Sequence, residues 1–333
     1  MTATSLTPGG RFVISLDFEL HWGVRARRSV SAYRANLLGV RDAVPAMLAL
    51  FREYDVHVTW ATVGMLFYEN KRSLMEELPE RLPCFADRRL SSYSELDEIG
   101  DDEHEDPYHY APSLVLRILS EQAHEIGSHT FSHYFCLEAG ADVASFRDDL
   151  EAARRASSRF GVLPRTLVFP GNQIAPAYAE AAAANGMRVY RGTESAWLYR
   201  PTARGEQTML RRGLRLLDAY VTVTSHNTYD ARDVIDGDRV NVPASRFLRP
   251  YIPSLAALES LRAWRIRTDL EHAAKRDLVY HLWWHPHNFG VYLNENLAML
   301  RRVLRTFAQL RERYGMRSVT MGELADEIGD VKT

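Results

Sequence analysis

Cysteine is nearly absent from this chain of 333 residues: Cys84 and Cys136 are the two present, and no CxxC pair occurs. That count excludes a disulfide framework and makes a reducing compartment the default. No uninterrupted apolar stretch approaches the roughly 20 residues that a membrane-spanning helix needs. Met1 to Gly10 lacks the basic segment and apolar run of a signal peptide, so the expected location is cytoplasmic. Internal repeats and low-complexity segments are missing too. Charge of one sign is not in excess: the net charge is -2, which gives no general reason to bind nucleic acid or an acidic membrane surface.

What remains is an ordinary globular composition, 46% apolar and 25% charged, in a length that suits a single α/β barrel. Arg11 to Ile14 reads as the start of a first strand that ends in Ser15-Leu16-Asp17-Phe18-Glu19. Two carboxylates two residues apart on a strand share a face, where they repel and lose hydration unless a cation compensates. The alternative is that Glu19 has left the strand and is solvated, with Asp17 capping the next turn. The basic loop Arg25 to Arg28 reads as a solvated face rather than a phosphate site.

Helical spacing runs from Leu37 to Tyr54, with Pro45 predicting a kink or a start near Asp42. Val56 to Val63 is β-branched and aromatic, a second strand. Residues 67–116 are rich in charge and proline and read as an insertion over the site mouth, with His104 and His109 solvated. Strands are expected at His124–His129, Leu167–Phe169, Met187–Tyr190 and Leu278–Trp284, with a weaker candidate at Tyr220–Thr224. Helices are expected at Phe146–Phe160, Tyr178–Asn185, Ser254–Ala274 and Leu293–Tyr314. Residues 225–253 show little periodicity. Alternation along the whole length predicts an α/β fold with a parallel sheet or barrel, its site at the C-terminal ends of the strands. Residues 1–10 are expected to be flexible and 11–329 to form one domain.

Two further clusters carry chemistry. In His129-Thr130-Phe131-Ser132-His133 the histidines stand at i and i+4, which on a helical turn puts both on one metal ion. With one acid from the first strand the set becomes two His and one carboxylate, leaving open positions as catalytic sites do. His285 ends an apolar strand just before Pro286 and suits acid–base work near neutral pH. His281, inside that strand, reads as a core residue bonded to a backbone carbonyl, and His287 is left open.

Together these segments resemble the polysaccharide deacetylase (NodB-homology) family over roughly residues 11 to 290. The resemblance implies a distorted (β/α) barrel that removes N- or O-acetyl groups with a bound divalent metal. It makes Asp17 the catalytic base and His285 the acid. Glu19, His129 and His133 become ligands of Zn²⁺, or of Co²⁺, Ni²⁺ or Mn²⁺, an ion that lowers the pKa of water toward about 7 and polarises the acetyl carbonyl. The family's third motif carries an Arg before a proline; here Val168-Phe169-Pro170-Gly171-Asn172-Gln173 has none, and Asn172 and Gln173 are expected to shape the groove. Arg191-Gly192-Thr193-Glu194-Ser195-Ala196-Trp197 echoes the fourth motif, with Arg191 as the candidate replacement charge and Glu194 nearby. Among the tryptophans, Trp22 and Trp197 are expected to touch substrate, and Trp60, Trp283 and Trp284 to be core. The expected partner is an acetylated carbohydrate; the oligomeric state is not legible. Rival readings are an iron oxygenase, an amide hydrolase on a small non-sugar molecule, and a carbohydrate-binding barrel without turnover.

Overall fold

The computed structural model describes residues 8–203 and 208–332; the flexible stretch expected at 1–10 lies, up to residue 7, outside the described residues. Ten strands form one sheet: β1 (Arg11–Phe18), β2 (Val58–Thr62), β3 (His124–Ser128), β4 (Thr166–Val168), β5 (Val189–Arg191), β6 (Ile235–Asp236), β7 (Arg239–Asn241), β8 (Arg246–Phe247), β9 (Val279–Trp284) and β10 (Arg317–Val319). Their order is β6-β7-β5-β4-β3-β2-β1-β9-β8, with β10 beside the first half of β1. Every pairing is parallel except β6 with β7. The sheet curls. Arg191 at the end of β5 bonds Asp17 near the end of β1, although β4, β3 and β2 lie between them in the order. This is the distorted (β/α) barrel that the alternation of elements leads one to expect.

Period-two alternation sorts each strand. On β1, Phe12, Ile14, Leu16 and Phe18 face outward into the main core with the helices Val30–Tyr54 and Leu293–Tyr314. Burying each such side chain contributes about 1.5–3 kcal/mol. Val13, Ser15 and Asp17 face inward. Val13 joins Val168, Val189, Val279 and Val319 around Met321, Leu324 and Ile328 of the last helix, Met321–Lys332, which plugs the barrel at the strands' N-terminal end. The polar inward residues are left for the other end.

Several elements depart from expectation. The helix expected from Leu37 begins at Val30, where the Ser29 side chain accepts from the Ala32 N–H at 3.3 Å, and it runs through Pro45 to Tyr54. Tyr220–Thr224 is not a strand. It follows the helix Met209–Asp218, and buried Asp218 accepts from the Val223 and Thr224 N–H groups at 3.1 and 2.7 Å. The aperiodic stretch 225–253 holds β6, β7 and β8, each too short to show a period. The expected helix Ser254–Ala274 is a 3₁₀ turn, Pro253–Leu258, followed by an α-helix, Glu259–Lys275. Residues 67–116 hold two short α-helices, Lys71–Glu76 and Pro112–Leu119, and two 3₁₀ turns.

Candidate active site

The inward face of β1 supplies the first acid. Asp17 is buried, and Arg191 from β5 clamps it: Nη1 donates to Oδ1 at 2.6 Å and Nη2 to Oδ2 at 2.8 Å. Arg191 also donates to Ser15 Oγ and to Asn172 Oδ1, both at 3.0 Å. A fork–fork pair of this kind fixes orientation as well as charge. Burial pushes the Asp17 carboxyl upward, but Arg191 above all, with His129 and His285, holds it below the ordinary carboxylate value. No local pattern links positions 17 and 191.

Glu19 has left the strand, since β1 ends at Phe18, but it is buried rather than solvated. It stands at the N-terminus of a five-residue helix, Leu20–Val24, and its carboxyl fits only because position 23 has no side chain. A Cβ on Gly23 would lie 1.9 Å from the Glu19 carboxyl carbon. Glu19 Oε2 is 3.0 Å from His133 Nε2 and 3.3 Å from His129 Nε2. The two histidines do not share a helical turn, contrary to the i, i+4 reading. They sit on a loop after β3 in which Thr130 and His133 have φ of 61° and 60°. Asp149 pins that loop, accepting from the Phe131 N–H at 2.7 Å and from the Ser132 hydroxyl. Burial raises the Asp149 carboxyl to about 6, although these donors pull against it.

These three residues fit a cation. His129 Nδ1 donates to the Val168 carbonyl at 2.8 Å, so Nε2 carries a bare lone pair. That buried atom has no hydrogen-bond donor and faces a carboxylate oxygen. Burial keeps His133 neutral, at about 4 despite Glu19. Glu19 is held well below its ordinary value: burial opposes this, and His285, His129 and His133 outweigh it. A buried carboxylate beside two imidazole nitrogens is an oxygen–nitrogen donor set that suits a divalent ion.

His285, just past β9, is half-buried, with Nε2 3.8 Å from Asp17 Oδ2 and 3.6 Å from Glu19 Oε1. His287 stacks on it at 5.0 Å, with Nδ1 4.0 Å from Glu19 Oε1. Burial, then His285, pushes His287 down to about 3. His281 is a core residue, as read: Nε2 lies 2.8 Å from Ser15 Oγ and Nδ1 3.2 Å from the Pro243 carbonyl. A cleft of about 610 Å³ opens on Asp17, Glu19, His133 and His285, with Asn172 and Trp283 in its wall.

Several site residues move. Trp22 is fully buried and donates to the His109 carbonyl at 2.8 Å, away from the cleft. Trp283, assigned to the core, is a wall of the cleft, with the Arg191 guanidinium 4.2 Å from its ring centre. It lies two residues from both His281 and His285, so the same-face rule could have found it. Glu194 is buried beside Trp283 Nε1, 3.3 Å away, and burial raises its carboxyl. Trp197 is 60% exposed, on a 3₁₀ turn whose Tyr199 faces the cleft. Gln173 does not shape the groove; it donates to Glu138 at 2.6 Å and accepts from the Leu137 N–H at 2.9 Å. In the basic loop, Arg25 is buried, while Arg27 and Arg28 line the cleft.

His109 is buried, not solvated; His104 is exposed. His109 joins His21 and Glu95 as a second cluster of metal-type donors. That cluster is already bonded internally: His21 Nδ1 lies 2.8 Å from His109 Nε2, His109 Nδ1 2.7 Å from Asp106 Oδ2, and Arg25 3.6 Å from Glu95. An arginine within ion-pair distance supplies positive charge there, whereas no arginine or lysine among the described residues lies within 4.0 Å of Glu19. Among the described residues, none from 67–116 lines the cleft; that segment packs behind it, with Ser92 donating to the Ser132 carbonyl at 2.5 Å.

Residues 36–190 match the family model for polysaccharide deacetylase. No curated protein matches the chain. Among solved structures, one described as a "putative polysaccharide deacetylase" from Mycobacterium smegmatis superposes with a TM-score of 0.62 at 16% identity, over 100% of this chain and 95% of that one. The Puue allantoinase gives 0.57 at 11% identity, over 95% and 89%. A probable polysaccharide deacetylase from Pseudomonas aeruginosa PAO1 gives 0.56 at 11%, over 95% and 90%. At such identities the likeness concerns the fold.

Proposed function

We propose that this chain, whose residues 36–190 match the polysaccharide deacetylase family model, is a metal-dependent hydrolase removing an N- or O-linked acetyl group from a sugar of a polysaccharide or glycan precursor. The observation that carries the reading is the bare Nε2 of buried His129, 3.3 Å from the Glu19 oxygen that also lies 3.0 Å from His133 Nε2. Glu19, His129 and His133 would hold the divalent ion, Zn²⁺ being the best match to two nitrogens and an oxygen. Bound there, the ion would acidify a water toward about pH 7 and polarise the acyl carbonyl.

The chain's own residues divide the remaining work. Asp17, kept ionised and aimed by Arg191, takes a proton from the attacking water. The water oxygen bonds to the acyl carbon, and the carbon–nitrogen or carbon–oxygen bond to the sugar breaks. His285, beside both carboxylates, returns a proton to the departing amine or alkoxide. Acetate and the free sugar group leave by the open cleft. Asn172 bonds Arg191, and Trp283 packs under the same guanidinium, so both position Asp17 indirectly. The Arg191 contact to Asp17 supports turnover over a carbohydrate-binding barrel without it.

The test is acetate release from acetylated sugars. The wild type should release acetate, and a chelator should stop it. Asp17→Asn should keep its metal and lose roughly 10²–10⁴ in kcat. Full activity of Asp17→Asn would remove it as the base.

A further inference from the structure

The cleft does not end at the candidate catalytic groups. Beyond His285 it continues into a second arm of about 460 Å³, and the two arms share Arg27, Phe247, Arg249 and Trp283. The second arm adds Arg200, Arg212 and Arg215 to its wall, while Glu194 is the one carboxylate lining it among the described residues. Five guanidinium groups thus face one acid. Among the described residues, none of Arg200, Arg212 and Arg249 is paired with a carboxylate within 4.0 Å. Arg249 lies over the Phe247 ring at 5.9 Å and Arg215 over Tyr199 at 5.3 Å, so aromatic faces, not acids, support them.

Such crowding has a cost. Like charges repel, and Arg215 and Arg249, partly buried, also lose hydration, while Arg27, Arg200 and Arg212 stay exposed. Burial, then the charge of Arg212, pushes Arg27 downward; burial likewise lowers Arg215, with Arg211 adding to it, and Arg249. A bound anion would relieve each repulsion at once. A lone carboxylate occupies one fork; a phosphate or diphosphate presents several oxygens to several forks, the geometry that arginine matches best.

We propose that the arm walled by Arg200, Arg212, Arg215 and Arg249 binds a phosphate or diphosphate of the substrate, so that the sugar is presented as a glycosyl phosphate and not as a neutral polymer. This rests on the deacetylase reading for the sugar's place beside Glu19 and His285; the anion site itself does not. Arg27 and Arg249, at the junction of the arms, are where the charged group and the sugar would meet. A nucleoside diphosphate sugar and a lipid diphosphate sugar carry the same chemistry.

The test has a binding part and a turnover part. Calorimetric titration of the full chain with inorganic pyrophosphate should show binding that weakens with salt. The double variant Arg212→Gln/Arg249→Gln should bind roughly tenfold or more weakly, with an unchanged melting temperature. No binding by the wild type, or undiminished binding by the variant, overturns the proposal. In the turnover part, acetate release is compared for uridine diphosphate N-acetylglucosamine, a polyprenyl diphosphate N-acetylglucosamine in detergent, and a neutral chito-oligosaccharide. The proposal expects one diphosphate sugar to be preferred, with KM rising in the variant and kcat nearly constant. Preference for the neutral oligosaccharide, with KM unmoved, overturns it. Pyrophosphate binding that depends on the arginines, without acetate release from any substrate, would sink the deacetylase reading and leave the anion site standing.

Discussion

Asp17 and Arg191 form the tightest arrangement at the level of single residues. Both are buried, and two parallel bonds join them. Removing the guanidinium leaves a buried carboxylate without its partner, which costs about 3–5 kcal/mol. Arg191→Gln should therefore melt earlier and lose turnover. Arg191→Lys should recover little, because an ammonium cannot supply the fork; wild-type activity in Arg191→Lys would show that charge alone suffices. Gly23 offers a sharper probe. An added Cβ would meet the Glu19 carboxyl group at 1.9 Å, so Gly23→Ala must swing that carboxylate away from the two histidines. The expected result is a folded protein with metal affinity reduced at least tenfold on the scale of disturbed ligand shells, measured by zinc titration against a chromophoric chelator. Unchanged affinity would mean that Glu19 is not a ligand.

Elements differ in how clearly the sequence announces them. The helix Leu293–Tyr314 is found at the boundaries its periodicity predicts, and β9 within one residue. Long, strongly periodic segments are legible because one face must be buried. The histidine pair was legible as a motif, but its backbone was not. Thr130 and His133 adopt left-handed φ because Asp149, on the following helix Val143–Ser158, holds the loop from outside. Trp22 lies in the core and Trp283 in the cleft wall, the reverse of what was expected, because neighbouring sequence position was read as spatial nearness; which way a strand or turn faces decides that. The Asp17–Arg191 contact crosses the barrel and has no local signature at all. The plug helix makes a prediction of its own kind. His57, just before β2, lies 2.8 Å from Glu323 on that helix. The hydrogen bond to Glu323 raises His57 above its ordinary 6.5. For Glu323, burial pushes upward, but His57 wins and lowers it below 4.5. The His57 contribution is complete below 6.5 and is lost as pH rises through the raised value; that of Glu323 is lost as pH falls below 4.5. Between those limits His57→Ala should be less stable than the wild type in urea melts, and the difference should shrink as pH rises through the raised His57 value. A difference constant with pH would assign the loss to packing.

At the scale of the whole molecule, the strands' alternation puts aliphatic side chains against the plug at one end and polar ones around the cleft at the other. Two buried carboxylates stand at the cleft end: Asp17 is paired with Arg191, while no arginine or lysine among the described residues lies within 4.0 Å of the Glu19 carboxylate. Metal binding should accordingly stabilise the fold, by about 2.7 kcal/mol at a free ion concentration 100 times Kd. The most direct measurement is an anomalous-scattering map from crystals of the full chain grown with zinc. The account predicts a single strong peak within bonding distance, about 2.0–2.2 Å, of Glu19 Oε, His129 Nε2 and His133 Nε2. A peak at His21, Glu95 and His109 instead, or no peak between Glu19 and the two histidines, would contradict it.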